Sequence, residues 1–217
     1  MSVAVVIPAF NEEKNIGDVV NSLVELGHSP IVVSDGSIDK TVEIARAAGA
    51  VVLEHEQNQG YESALNTGFE HASANGFEFA VTFDADGQFD PNDIEQFAKL
   101  MTDSELDLVI GIRSFKNRIA EHVLANWTSF RFGIKDPLCG LKLYRVSKAK
   151  DFFPFDSQKL IGMELAIKMV KGNCSFSQRP IRVTERDGES RYGTSLSGEL
   201  KVLSSLGRLI SNFGIVG

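Results

Sequence analysis

Two aspartates separated by a single residue have the type and spacing of a metal site. Asp84 and Asp86 directly follow the apolar run Phe79–Phe83 and precede a Gly-Gln pair. Because residues 47–98 contain no Lys or Arg, basic neighbours in the sequence do not neutralise these carboxylates. Two like charges in one place favour a divalent cation, and oxygen ligands favour Mg²⁺ or Mn²⁺ over zinc. A cation held by only two carboxylates keeps open positions, which substrate phosphates commonly fill.

Further polar clusters stand where other predicted strands end. They are Pro8-Ala9-Phe10-Asn11-Glu12-Glu13 after the first strand, Ser34-Asp35-Gly36-Ser37 after the second, and Gly111-Ile112-Arg113 at the end of the fifth. Each cluster alone is also typical of a turn or a helix start. In an open α/β sheet, however, ligands bind in the crevice at the carboxyl ends of the strands. We therefore expect these clusters and the two aspartates to form one site.

Apolar patterning predicts the elements that position these residues. Val3–Ile7 is a continuous apolar run ended by Pro8, which is typical of a strand buried on both faces of a parallel sheet. Further strands are predicted at Ile31–Val33, Val51–Leu53, Phe79–Phe83 and Leu106–Ile112, and helices at Glu12–Leu26, Asp39–Ala48, Ser63–Ala74 and Pro91–Met101. This alternation predicts an α/β fold with a mostly parallel central sheet flanked by helices.

The second half of the chain is less regular. The pattern predicts a loop and then a helix over 113–135, a strand at Leu141–Tyr144, a helix at Met163–Val170, one or two strands within Ser175–Thr184, and a Gly/Ser-rich loop at Asp187–Ser197. Residues 198–213 predict an amphipathic helix. Its apolar stripe consists of Leu200, Val202, Leu203, Leu206, Leu209, Ile210 and Phe213.

Composition limits the class of protein. The chain has 217 residues, of which 43% are apolar and 24% are charged, and this excludes disorder, collagen and a disulfide miniprotein. No apolar stretch approaches the roughly 18 residues of a membrane-spanning helix, and no basic region precedes the first strand, so we expect neither a span nor a secretory signal. Cys139 and Cys174 are then expected to be free thiols in a reducing cytosol. The histidines, His28, His55, His71 and His122, lack metal-binding spacing and are interpreted as ordinary surface or core residues.

Charge divides the chain unevenly. Residues 1–110 contain 4 Lys or Arg against 20 Asp or Glu, whereas residues 111–217 contain 18 against 9. This division indicates that the two halves face different partners, although a solvated acidic surface would produce it as well.

Taken together, these segments resemble the inverting family 2 glycosyltransferases, which have the GT-A, nucleotide-diphospho-sugar transferase fold. The matching residues are 5–13, 33–41, Asn58-Gln59-Gly60 with Ala64 and Gly68, and 84–88, in the family's order. The second half resembles the dolichyl-phosphate mannose synthase branch, which loads a sugar onto a polyprenyl phosphate. Its matching segments are 111–113, 136–145, Glu164 and 186–191. The chain departs from the family at Glu62, where a small residue is common, at Cys139, where Ser is common, and at Lys142, in a segment where Phe-Arg is usual.

The resemblance implies one GT-A domain over residues 1–217 and a role for each strand-end residue. It divides the domain into a nucleotide-sugar-binding half (1–112), an acceptor-binding half (113–197) and the amphipathic helix (198–213). In the donor site, the backbone of Pro8, Ala9, Asn11 and Glu12 would lie along the base. Asp35 would contact the base or the ribose, and Asp84 the ribose or the metal. Asp86 and Gln88 would bind the metal. Mg²⁺ or Mn²⁺ would neutralise the nucleoside diphosphate as it leaves.

The acceptor determines what else the site needs. A hydroxyl acceptor requires a general base, for which Asp136 and Glu164 are the candidates. A polyprenyl phosphate is already anionic and instead requires cations that bind its oxygens. The candidate arginines are Arg113, Arg131, Arg186 and Arg191, with Arg113 and Arg191 favoured over Arg131. Asp136 can alternatively hold an arginine in place.

We therefore expect an inverting, metal-dependent glycosyltransferase with a nucleotide-diphosphate sugar donor and a polyprenyl phosphate acceptor. The alternatives are transfer to a saccharide or protein hydroxyl in cell-surface polysaccharide synthesis and a non-catalytic sugar-nucleotide-binding module. No nucleic acid partner is expected. Helix 198–213, with Lys201 and Arg208 on its polar face, either packs against the domain or lies on a membrane. The expected location is the cytoplasm, with contact to the cytoplasmic face of the membrane through this helix.

Overall fold

A computed structural model describes residues 2–116, 118–155, 160, 162–183 and 196–214 of the chain. Its strands are β1 (Ala4–Ala9), β2 (Ser29–Asp35), β3 (Val51–His55), β4 (Phe79–Thr82), β5 (Leu108–Arg113), β6 (Lys142–Arg145) and β7 (Phe176–Ile181). Its helices are α1 (Ile16–Glu25), α2 (Thr41–Ala47), α3 (Tyr61–Ala74), α4 (Asn92–Asp103), α5 (Ile119–Phe132), α6 (Val146–Ala149), α7 (Glu164–Lys171) and α8 (Leu196–Phe213), with a 3₁₀ turn at Lys150–Phe152.

Within the described residues, the strands form one seven-stranded sheet in the order β3-β2-β1-β4-β6-β5-β7. Strand β6 runs antiparallel to both of its neighbours, β4 and β5, whereas the other neighbouring pairs are parallel. The carboxyl ends of β1, β2, β4 and β5 consequently lie at the same edge of the sheet. The residues that lead into β6 reach this edge as well, because β6 runs in the opposite direction. The predicted polar clusters therefore share one edge.

The core lies on both faces of the sheet. In β1, Val5 and Ile7 pack on one face against Ile16 of α1, while Val6 belongs to the cluster on the other face that contains Phe69 of α3. All five of these side chains are fully buried, and burial of an apolar side chain of this size contributes about 1.5–3 kcal/mol. The continuous apolar run at the start of the chain thus reflects burial on two faces.

The strands and helices of the predicted α/β pattern are confirmed. Some of them begin or end at other residues than predicted, and these differences have local causes. Helix α1 begins at Ile16 rather than Glu12, because Asn11 has a φ of 55° and the amide of Glu12 donates to Oγ1 of Thr41, the first residue of α2. Helix α3 begins at Tyr61 rather than Ser63, after Gly60, whose φ is 100°. Helix α6 was not predicted, since four residues are too few to establish a helical period.

The C-terminal helix begins earlier than predicted and buries only part of its apolar stripe. Because α8 starts at Leu196, the predicted loop is wrong for residues 196 and 197, and residues 187–195 of it lie outside the described residues. Val202 and Leu209 are fully buried, whereas Leu200 is 64% exposed and Leu203 is 45% exposed. None of the helices within the described ranges is both long and apolar enough to span a membrane.

At the opposite edge of the sheet, a buried histidine lies just before β2. His28 is 7% exposed, and neither of its ring nitrogens has a hydrogen-bond partner among the described residues. Burial lowers the pKa of His28, and the negative charge of Glu95 opposes this shift only in part. The folded protein therefore favours a neutral imidazole.

Because of this histidine, we expect the folded protein to lose stability in acid. Below the ordinary histidine pKa of about 6.5, the unfolded chain binds a proton that the folded chain resists, so the free energy of unfolding decreases as the pH falls. We expect His28→Leu to reduce this decrease between pH 7.5 and 5, as measured by urea denaturation of both proteins. An equal decrease in wild type and variant would show that His28 is not responsible.

Candidate active site

The two aspartates form a tight turn after β4. Gln88 donates its backbone N–H to Asp86 Oδ1 at 3.2 Å, and Gly87 between them has a φ of 73°, which favours glycine. Asp86 is buried, with 8% exposure. Tyr61, the first residue of α3, donates its hydroxyl to Asp84 Oδ1 at 3.1 Å. The turn itself and the start of α3 therefore hold the two carboxylates.

Gly140 lies directly against the carboxylate of Asp84. A Cβ atom at residue 140 would lie 2.3 Å from Asp84 Oδ2 and 3.0 Å from the ring of Phe89. Thr82 in turn donates its hydroxyl to the carbonyl oxygen of Gly140 at 2.6 Å. The backbone before β6 thus forms the floor beneath Asp84, and only glycine leaves enough room for the carboxylate there.

A buried lysine behind this floor was not predicted as a site residue. Lys142 is 3% exposed, and its Nζ donates to the carbonyl oxygens of Cys139 and Gly162. Burial lowers the pKa of Lys142, while nearby acidic groups, among them Asp136 and Asp84, oppose this shift. The signal in the sequence was a lysine between two leucines in a short strand. Its Nζ joins the segment before β6 to the segment before α7.

The loops after β1 and β2 are joined by hydrogen bonds. Asn11 donates its backbone N–H to Ser37 Oγ at 3.1 Å, and its Oδ1 accepts from the N–H of Ile38 at 2.9 Å. Pro8 and Ala9 are buried within β1, so only their backbone could contact a ligand. Phe10, whose side chain was assigned no role from the sequence, is 49% exposed beside them. An exposed aromatic ring at the crevice offers a flat surface for a nucleotide base.

Asp35, at the end of β2, is buried and holds the loop that precedes α3. Its Oδ1 accepts from the N–H of Gln59, and its Oδ2 accepts from the N–H of Gly60, both at 2.8 Å. His55 Nδ1 lies 2.8 Å from Oδ1. Gly36 packs against this loop as well, because a Cβ atom there would lie 2.7 Å from the backbone nitrogen of Asn58. These contacts make one wall of the crevice rigid.

At the end of β5, Arg113 forms a bidentate ion pair with Asp136. Arg113 donates Nε to Asp136 Oδ2 at 2.9 Å and Nη2 to Oδ1 at 3.0 Å, and its backbone N–H also donates to Oδ2. Nη2 reaches Glu121 as well, which also pairs with Arg118. Burial works to lower the pKa of Arg113, but the hydrogen bonds and negative charge of Asp136 raise it above its ordinary value. Asp136 therefore holds an arginine in place, one of its two predicted roles.

Two of the remaining candidates, Glu164 and Arg131, have other partners. Glu164, the first residue of α7, is fully buried and forms an ion pair with Lys168. Arg131 stacks over the ring of Phe132 at the end of α5. Arg186 and Arg191 lie outside the described residues. The last described residue before them, Val183, pairs with Phe89 next to the aspartate turn.

The oxygen donors at the turn fit a hard divalent cation. Within the described ranges, no three or more His, Cys, Asp or Glu side chains are grouped closely enough to hold a metal ion by themselves. Asp84 and Asp86 would supply two carboxylates and Gln88 an amide oxygen, which leaves positions for phosphate oxygens. Such a donor set suits Mg²⁺ or Mn²⁺.

Comparison with known proteins identifies the family of this chain. The model of the family described as glycosyl transferase family 2 matches residues 4–153. A dolichyl-phosphate hexose transferase of Haloferax volcanii is 31% identical over 207 residues, which cover 90% of this chain and 88% of that protein. A UDP-N-acetylglucosamine–dolichyl-phosphate N-acetylglucosaminyltransferase of Methanococcus voltae is 32% identical over 175 residues, with coverage of 67% and 70%.

A solved structure has the same fold. Glucosyl-3-phosphoglycerate synthase from Mycobacterium tuberculosis, crystallised with Mn²⁺, uridine diphosphate and phosphoglyceric acid, superposes with a TM-score of 0.76 at 24% identity. The match covers 100% of this chain and 80% of that one. Since the family model covers more than half of the sequence, the chain belongs to glycosyl transferase family 2 and is a glycosyltransferase with the GT-A fold.

Proposed function

We propose that this glycosyltransferase transfers a sugar, with inversion, from a nucleotide-diphosphate donor to a polyprenyl phosphate in a reaction that depends on Mg²⁺ or Mn²⁺. The bidentate pairing of Asp136 with Arg113 is the observation that carries the choice of acceptor. The named relatives from Haloferax volcanii and Methanococcus voltae, which act on dolichyl phosphate by their names, support it.

The donor half would bind the nucleotide and the leaving diphosphate. The base would lie along the Pro8–Glu12 backbone against Phe10, with Asp35 accepting a hydrogen bond from it. Asp84, Asp86 and Gln88 would hold the metal, which supplies positive charge to the departing diphosphate. A neighbour of the same fold was crystallised with Mn²⁺ and uridine diphosphate, which supports this assignment.

The acceptor half favours an anion over a hydroxyl. A general base must accept a proton from the acceptor hydroxyl, but Arg113 already donates to both carboxylate oxygens of Asp136. Glu164 is buried in its own ion pair with Lys168. Arg113 Nη1, in contrast, makes no hydrogen bond with the described residues and can donate to a phosphate oxygen. A phosphate acceptor needs no base.

Exposed apolar side chains on two neighbouring helices would bring the enzyme to its lipid acceptor. Ile119 of α5 is 79% exposed, and Leu200 and Leu203 of α8 are exposed as well. The N–H of Ala120 donates to Glu199 Oε2 at 2.9 Å, so the parts of α5 and α8 that carry these residues meet. Apolar side chains beside a site for a lipid phosphate suit the surface of a bilayer.

The donor site is tested by thermal unfolding with uridine or guanosine diphosphate, with and without Mn²⁺. We expect one diphosphate to stabilise the protein in a metal-dependent manner, since a ligand that binds only the folded state raises its stability. Asp86→Asn should weaken this metal-dependent binding at least about tenfold, because it removes a charged ligand. Asp90→Asn removes the same charge from an exposed residue just before α4 and should bind as wild type does. A metal-dependent shift that Asp86→Asn leaves intact would contradict the proposed metal site.

The acceptor is tested by steady-state transfer to a short polyprenyl phosphate. We expect Arg113→Lys to raise the KM for this acceptor about tenfold, because lysine cannot reproduce the fork-shaped contacts of a guanidinium. Arg46→Lys, on the exposed surface, is the matched control. Asp136→Asn should also raise the acceptor KM through Arg113. Loss of turnover at saturating acceptor in Asp136→Asn, with donor binding intact, would instead indicate a general base and a hydroxyl acceptor.

Membrane contact is tested by sedimentation with anionic lipid vesicles. The double substitution Leu200→Glu/Leu203→Glu should reduce vesicle binding at least about tenfold, since two exposed apolar side chains are lost and two negative charges are added. Val24→Glu introduces a charge at another exposed apolar side chain, on α1, and should bind as wild type does. Equal binding of all three proteins would exclude α8 as the contact.

A further inference from the structure

A chain of hydrogen bonds lies behind the carboxylate of Asp35. His55, the last residue of β3, places Nδ1 2.8 Å from Asp35 Oδ1 and Nε2 2.9 Å from Thr67 Oγ1 of α3. The side chains of His55 and Asp35 are only 8% and 6% exposed. The three residues therefore connect the end of β2, the end of β3 and helix α3 through side chains alone.

The partners determine where the protons lie. An ionised carboxylate can only accept a hydrogen bond, so an imidazole with a single proton must carry it on Nδ1. Nε2 then accepts from the hydroxyl of Thr67. Each group in the chain donates toward Asp35, and the carboxylate cannot turn without breaking one of these bonds.

The bonds to Asp35 are unevenly divided between its two oxygens. Oδ1 accepts from the N–H of Gln59 and from His55, whereas Oδ2 accepts only from the N–H of Gly60 among the described residues. A carboxylate oxygen can accept two hydrogen bonds. One acceptor position therefore remains on Oδ2.

We propose that His55 and Thr67 are positioning residues for the nucleotide: they fix the Asp35 carboxylate so that Oδ2 keeps one acceptor position for an N–H or O–H of the donor. This inference rests on the proposed function, in which Asp35 contacts the donor nucleotide. His55 occupies Oδ1 and thereby prevents the carboxylate from rotating, and Thr67 fixes the ring of His55. Neither residue touches the sugar or the acceptor.

Paired substitutions separate the two hydrogen bonds of His55. The amide nitrogen of Asn can occupy the place of Nδ1, so His55→Asn keeps the donor to Asp35, whereas His55→Leu removes it. Likewise, Thr67→Ser keeps the hydroxyl and Thr67→Val removes it with little change in shape. His71→Leu makes the same change from His to Leu on α3, one helical turn beyond Thr67, and serves as a control.

The readouts are the calorimetric affinity for uridine or guanosine diphosphate with Mn²⁺ and the kinetics of transfer. We expect His55→Leu to weaken diphosphate binding about tenfold, as expected for the loss of a hydrogen bond to a charged group. The affinities of His55→Asn and Thr67→Ser should remain within about threefold of wild type. The affinity of Thr67→Val should lie between the affinities of these two variants and that of His55→Leu. The donor KM should rise while kcat and the acceptor KM stay unchanged, a separation that general loss of structure would not produce.

Asp35→Asn in the same experiment distinguishes the two levels of the proposal. Weak binding by Asp35→Asn together with wild-type binding by His55→Leu would overturn the positioning role and leave the donor site standing. Wild-type binding by Asp35→Asn would overturn the nucleotide contact itself, and the positioning role with it. If His55→Leu does not fold, the pair Thr67→Val and Thr67→Ser decides, since equal affinity of the two would reject the hydrogen-bond chain.

Discussion

The antiparallel insertion of β6 between β4 and β5 is the constraint on which the site depends. Lys142 at its start pairs with Thr82 on one side and with Ile110 on the other. This pairing brings the segment that contains Asp136 and Gly140 to the edge where Asp84 lies. Without it, the acidic first half and the basic second half of the chain would have no common crevice.

Electrostatics within the crevice follows from how each charge is held. Asp35 is hydrogen-bonded by two backbone N–H groups and a histidine, and Asp136 pairs with the guanidinium of Arg113. Asp84 accepts a hydrogen bond from the hydroxyl of Tyr61 and lies against the backbone at Gly140. The proposed transfer assigns the cation to the acidic turn after β4 and the phosphate to the guanidinium of Arg113 at the end of β5.

Sequence patterning predicted the sheet and the strand-end residues because apolar runs and helical periods are local features of the sequence. Alternation of apolar runs and helical periods placed the aspartates at a strand end, and the crevice rule brought the clusters together. His55 and Lys142 were not predicted as site residues, since their partners lie elsewhere: Thr67 is 12 residues from His55, and Gly162 is 20 residues from Lys142. Such contacts are set by tertiary packing, which periodicity does not encode.

The position of β6 also has a consequence for how the chain is made. As the polypeptide leaves the ribosome, β1 to β4 are complete some sixty residues before β6, so β4 has an unpaired edge during that interval. An open strand edge of apolar residues is a template for association with other chains. Synthesis that pauses between residues 83 and 142 would therefore prolong the stage at which this protein is most exposed to aggregation, and a chaperone that covers β4 would act at that stage.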